Sequence, residues 1–139
     1  MRTDIVAVAR GWIGTPYRHQ ASLRGVGCDC LGLLRGVWRE CFGAEPEAMP
    51  AYAPDWSVAG PETLQGGLAR HLAAVPPAAM QPGDIALFRM TASGPAHHCG
   101  IIAERDGVLT LLHARQNKRV SEENFSAFWR ARLAHLFRV

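Results

Sequence analysis

The chain has 139 residues, 48% of them hydrophobic and 19% charged, with a formal net charge of +3. That is the size of one ordinary domain with a real core, and the balance is too apolar for a disordered chain. The basic excess is too small to argue for nucleic acid, and no run approaches the ~20 apolar residues of a membrane span.

The four cysteines are Cys28, Cys30, Cys41 and Cys99. Cys28 and Cys30 are too close for an easy disulfide, so the set is read as reduced thiols. Residues 1–11 lack the long apolar core of a signal peptide. The expectation is synthesis in the cytoplasm, or exit by a route that needs no signal.

Taken in order, Thr3 is expected to cap a helix over 4–13, with Ile5, Val8, Ala9, Trp12 and Ile13 facing inward. Gly14-Thr15-Pro16 ends it, and a polar loop follows to Gly27. Cys30, Leu33, Leu34, Val37, Trp38, Cys41 and Phe42 then recur at helical spacing up to Gly43. Residues 44–61 are irregular, with Tyr52 and Trp56 as expected anchors to the domain surface. A third helix is expected over 62–75, weakened by Gly66-Gly67 and stopped by Pro76-Pro77.

The period then changes. Gln81-Pro82-Gly83-Asp84 reads as a turn, and 85–90, 98–104 and 108–114 read as strands. Arg119-Val120 is read as a short edge, 125–130 as a helical turn and 132–139 as a last strand. Helices first and strands second make an α+β fold, N-terminal helices on a C-terminal antiparallel sheet, as a single domain over 1–139.

The chemistry gathers at Gly27-Cys28-Asp29-Cys30-Leu31-Gly32. Asp29 is a strong N-cap type, which places Cys30 in the first helical turn. Free N–H groups and the helix dipole there favour a thiolate, the nucleophilic form. Asp106-Gly107 is a two-residue hairpin turn; it sets Arg105 opposite Val108 and Gly100 opposite His113. His98 then shares a face with His113, while His97 and Cys99 point the other way. A helix-terminal cysteine and two histidines supply a nucleophile, a base and an orienting group, with a helix-terminal N–H for the oxyanion. That is acyl-transfer chemistry.

At these residues the chain resembles the NlpC-type cell-wall peptidases, which are papain-like cysteine enzymes. The matching pieces are Gly14-Thr15-Pro16-Tyr17, Gly27-Cys28-Asp29-Cys30-Leu31-Gly32-Leu33, Pro82-Gly83-Asp84-Ile85, His98-Cys99-Gly100-Ile101 and Leu112-His113-Ala114. The resemblance implies Cys30 as nucleophile, His98 as base and His113 as the third polar residue. It implies Tyr17 and Asp29 in the substrate site, Asp29 near the amine end of the peptide. The implied substrate is a peptidoglycan stem peptide, cut after a D-glutamate joined through its γ-carboxyl. Leu31 stands where the family commonly has serine, which bears on bond specificity. Cys-Asp-Cys-Leu-Gly-Leu, with Pro50-Ala-Tyr-Ala-Pro-Asp-Trp56 and Ala86-Leu-Phe-Arg89, is similar to the branch found with phage tails and gene-transfer particles. That branch implies association with a phage-like particle, and with its tail or baseplate proteins.

No metal or cofactor is assigned. Zinc is the rival chemistry, since Cys28, Cys30, His98, Cys99 and His113 are ligand types; Cys28-x-Cys30 is not a usual ligand spacing. The rival functions are a non-catalytic wall-binding or structural tail module, and an acyltransferase or amidase on the same scaffold.

Overall fold

The computed structural model describes residues 1–47 and 62–139. Helix α1 (Thr3–Arg10) buries Ile5, Val6 and Ala9. Its N-cap is Arg2 rather than Thr3, and no side chain caps it. The Arg2 guanidinium instead grips Asp4 at 2.9 and 2.6 Å, holding a carboxylate in the first turn where the dipole favours it. The helix ends at Arg10 and the chain turns to Gly14. That break in period leaves Ile13 48% exposed, while Val6 and Trp12 take core places.

A two-stranded ribbon follows, β1 (Ser22–Leu23) antiparallel to β2 (Gly27–Cys28). It feeds straight into α2 (Cys30–Phe42), which buries Leu31, Leu33, Leu34 and Val37. Gly43, at φ 90°, ends the helix as expected.

The third helix is shorter than the 62–75 expectation. It is α3 (Thr63–Ala69), and after a turn the chain becomes β3 (Ala73–Ala74). Two adjacent glycines weaken the helix, and the main chain beyond finds better partners: Val75 N–H donates to the Leu136 carbonyl at 2.9 Å. Tyr52, Trp56 and most of the irregular stretch lie outside the described residues.

The remaining elements are β4 (Ile85–Phe88), β5 (His98–Arg105), β6 (Val108–His113), β7 (Ser121–Asn124), α4 (Ala127–Arg132) and β8 (Leu133–Arg138). They form one antiparallel sheet in the order β3-β8-β4-β5-β6-β7. This is the expected α+β architecture. The edge strand falls later than Arg119-Val120. Ser-Glu-Glu-Asn lacks strand composition, but its backbone closes the open side of β6, and charged side chains suit an edge.

Asp106 and Gly107 both adopt positive φ, 54° and 79°, as the tight hairpin turn requires. The β5–β6 register pairs Arg105 with Val108 and Ile101 with Leu112, and so sets Gly100 opposite His113. One sheet face, with Leu87, Cys99, Ile101 and Leu112, packs against α1 and α2. The other, with Ala86, Phe88, Ile102 and Leu111, packs against Phe125 and Trp129 of the α4 region. Among the described residues, no helix is long and apolar enough to cross a membrane.

Candidate active site

The site begins with Asp29. It has extended backbone, and its Oδ1 accepts the Gly32 N–H at 2.7 Å. Its Oδ2 accepts the Gln20 N–H, also at 2.7 Å. One carboxylate, 2% exposed, thus starts α2 and ties the preceding loop to it. A Cβ on Gly32 would overlap the Ala21 carbonyl oxygen, so this turn needs glycine.

Cys30 follows as the first residue of α2, half-buried. Its Sγ lies 3.8 Å from the His97 carbonyl oxygen. The Cys99 thiol donates to the Cys30 carbonyl at 3.3 Å. The Cys30 thiol is held well below its usual pKa. Its hydrogen bond with the Cys99 side chain is the largest cause; burial opposes, and the hydrogen bond and charge of His98 add to the lowering. Cys28 behaves oppositely: burial, with Asp29 and Cys30 nearby, pushes its thiol up to about 12.

The two histidines sit on the face opposite α2. His98 Nε2 and His113 Nδ1 are 2.8 Å apart. Gly100 makes room for this, because a Cβ there would press on the Leu111 side chain and the His113 Cβ. Sulfur and imidazole therefore come from opposite layers and meet around the start of β5. His113 is fully buried, and its pKa is lowered to about 4 by burial first and by His98 second.

Glu123, on β7, was not singled out in the sequence. Its Oε2 lies 3.0 Å from His113 Nε2, and its Oε1 accepts the Trp129 Nε1–H at 2.7 Å. Trp129 also walls the pair, with ring centroids 5.5 Å from His98 and 4.9 Å from His113. Burial pushes the Glu123 carboxyl up, but the Trp129 and His113 contacts bring it below the usual carboxylate range. Glu in a short polar run carries no mark of such a role; the pairing of β7 with β6, Glu123 opposite Leu111 and Ser121 opposite His113, brings it alongside.

Cys30, His98 and Trp129 line a cleft of about 250 Å³ with Tyr17, Asp29, Leu31 and His97, and with His19, Arg115 and Lys118 among its polar lining, while His113 lies buried behind it. Tyr17 bridges to Cys28 through the backbone, and burial, then Cys30, raises its phenol to about 12. His19 and His97 both reach the cleft, His97 although it faces away from His98 on the strand. His19 Nδ1 is 3.8 Å from Asp29 Oδ2. Cys99, expected to point away from His98, is buried and lies against Cys30. Among the described residues, no three His, Cys, Asp or Glu side chains are grouped to hold one metal ion.

The chain aligns with the NlpC/p60 domain of the peptidoglycan hydrolase SagA at a TM-score of 0.64 and 20% identity, covering 100% of this chain and 99% of that one. The chain has the NlpC/P60 fold. An NlpC/P60 family protein from Bacillus cereus ATCC 10987 aligns at 0.68 and 20% identity, over 99% of this chain and 40% of that one. The peptidoglycan hydrolase RipB from Mycobacterium tuberculosis aligns at 0.61 and 20% identity, over 98% of this chain and 63% of that one. In sequence, the chain is 25% identical over 135 residues to the gamma-DL-glutamyl hydrolase of Bacillus subtilis (strain 168). It spans 96% of this chain but only 28% of that relative. No family model matches the sequence.

Proposed function

We propose that this chain is a cysteine peptidase that hydrolyses an amide bond in peptidoglycan stem peptides, between a γ-linked D-glutamate and the following diamino acid. The observation that carries this reading is that Cys30 and His98 share one cleft, with His113 buried behind His98 and in contact with it. The Cys30 sulfur attacks the γ-carbonyl carbon while its proton rests on His98. First-turn N–H groups at the start of α2, which have no partner within the helix, are proposed to stabilise the charge that develops on the carbonyl oxygen. The C–N bond breaks as His98 returns the proton to the leaving amine. Water, activated by the same imidazole, then hydrolyses the thioester and restores the thiol.

Substrate chemistry supports the reading. A γ-linked D-glutamate keeps a free α-carboxylate, and Arg115 and Lys118 in the cleft lining carry positive charge. Tyr17 and Asp29 contribute to the same lining; both are proposed to contact the substrate, Asp29 near the amine end of the peptide. The sequence relative is named for a glutamyl bond, and two fold neighbours for peptidoglycan hydrolysis. Leu31, only 4% exposed, puts an apolar side chain where the resemblance expects serine.

The test compares wild-type and Cys30→Ala protein on purified peptidoglycan, with fragments read by mass spectrometry. Wild type should release fragments ending in D-glutamate, and the variant none. Equal binding without fragments from either protein would replace the enzyme with a wall-binding module. The proposal extends to wall penetration by a phage-like particle, on the resemblance at residues 50–56 and 86–89. Co-sedimentation of the native protein with such particles tests that part, and its absence from them would remove it.

A further inference from the structure

We propose that Glu123 is a positioning residue: it locks the tautomers of both histidines so that His98 presents a bare Nδ1 to Cys30. The inference rests on the peptidase reading for its purpose, but its geometry stands apart from any substrate.

Trp129, Glu123, His113 and His98 form a chain of donors and acceptors. The Trp129 indole N–H can only donate, and it points at Glu123 Oε1 at 2.7 Å. An ionised carboxylate can only accept, so the 3.0 Å contact from Oε2 requires the hydrogen on His113 Nε2. Burial keeps His113 neutral, which leaves a lone pair on its Nδ1. The 2.8 Å contact between the rings then requires the hydrogen on His98 Nε2. A neutral His98 with its hydrogen on Nε2 has Nδ1 bare, and that nitrogen remains for the thiol. When His98 takes the proton from Cys30 Sγ, its Nε2–H still donates to His113. Nothing further down the chain has to move.

Reverse the last link and the order collapses. A donor facing His113 Nε2 would push the hydrogen to His113 Nδ1. His98 Nε2 would have to accept, and its hydrogen would sit on Nδ1, facing the sulfur. The site would keep its shape and lose its base. The charged groups facing this pair are Glu123 and Arg115, the latter with its guanidinium 5.3 Å from the Trp129 ring centroid. The Glu123 side chain is 40% exposed, so it fills no core space that packing alone would require.

Glu123→Gln separates this role from simple packing. Its amide oxygen must face Trp129, the obligate donor, and its NH2 then faces His113 Nε2. Adding Trp129→Phe removes that donor and frees the amide to turn its oxygen to His113. Cys30 reactivity is read by iodoacetamide at pH 7, and histidine tautomers by two-bond 1H–15N NMR; neither needs peptidoglycan. The expected result is Nε2–H on His113 in wild type and Nδ1–H in E123Q. Alkylation of Cys30 should fall by roughly 100-fold or more in E123Q, in the range of a lost general base. Where wall hydrolysis is measurable, kcat should fall with KM unchanged. The double variant E123Q/W129F should regain much of the E123Q loss, which a packing role would not allow. A wild-type His113 carrying its hydrogen on Nδ1 overturns the proposal without any variant. So does an E123Q protein that alkylates at the wild-type rate. Failure on peptidoglycan with the tautomers as stated would instead remove the substrate reading and leave this one standing.

Discussion

His113 shows at the scale of one residue how the site is balanced against the fold. Burial and the neighbouring His98 lower its pKa from 6.5 to about 4. The unfolded chain therefore binds a proton in that interval that the native protein refuses. The sign follows: the neutral form's stability is intact above pH 6.5 and is lost as the pH falls toward 4. The loss is on the order of 3 kcal/mol at 1.36 kcal/mol per pKa unit. Urea unfolding between pH 7 and pH 4.5 should show wild type weakening across this window, with a flatter curve for His113→Asn. Equal slopes would show that His113 is not the group being titrated. The placement of Cys30, His98 and His113 was legible in the sequence because each signal is local: a cap before an apolar stripe, and a two-residue turn that fixes a register. The contacts of Glu123 and Cys99 were not, since each meets its partner from far along the chain. Cys99 was correctly set facing away from His98, yet the helix that brings Cys30 lies on that very face.

At the scale of elements, legibility followed how far each one depends on its own residues. α2 is written in its cap, stripe and terminal glycine, and it begins and ends where expected. α3 depends on competition with a neighbouring strand, and its last residues went to β3 and Val75's bond with β8. β7 depends almost wholly on the edge it completes. The joint between β2 and α2 yields a prediction that runs against propensity. Alanine is the better helix former than glycine by about 1 kcal/mol in a helix interior. At Gly32 the order should invert, because the new Cβ would strike the Ala21 carbonyl and crowd Asp29 Oδ1. The backbone cannot step aside without giving up the two amide bonds that Asp29 makes. Gly32→Ala should cost about 2 kcal/mol or more, a typical overpacking loss with the cap disturbed as well. Thermal unfolding measures it, and a stabilised variant would show that the loop yields freely.

For the whole molecule, the sheet is what connects two otherwise separate layers. Sulfur comes with α2 on one face, imidazoles with α4 on the other, and their meeting depends on strand register. β8 lies between β3 and β4, and a register shift between Leu87 and Phe88 falls one strand away from His98. At the other end of β4 the register is pinned by an ion pair. Arg138 Nε and Nη2 donate to the two oxygens of Asp84, at 2.8 and 2.9 Å. The partners are unequally exposed: the Asp84 side chain is 1% exposed and that of Arg138 30%. Removing Arg138 strands a buried carboxylate, whereas removing Asp84 leaves a guanidinium that can turn to water. Arg138→Met should therefore cost more, about 3 kcal/mol, than Asp84→Ala, which also leaves the Gln81 N–H without its side-chain acceptor. The double variant should cost less than the two losses together, since no lone charge remains buried. Urea unfolding of the four proteins measures all three differences. Equal single losses that simply add would mean that water already reaches Asp84, and that the pair does not pin the sheet.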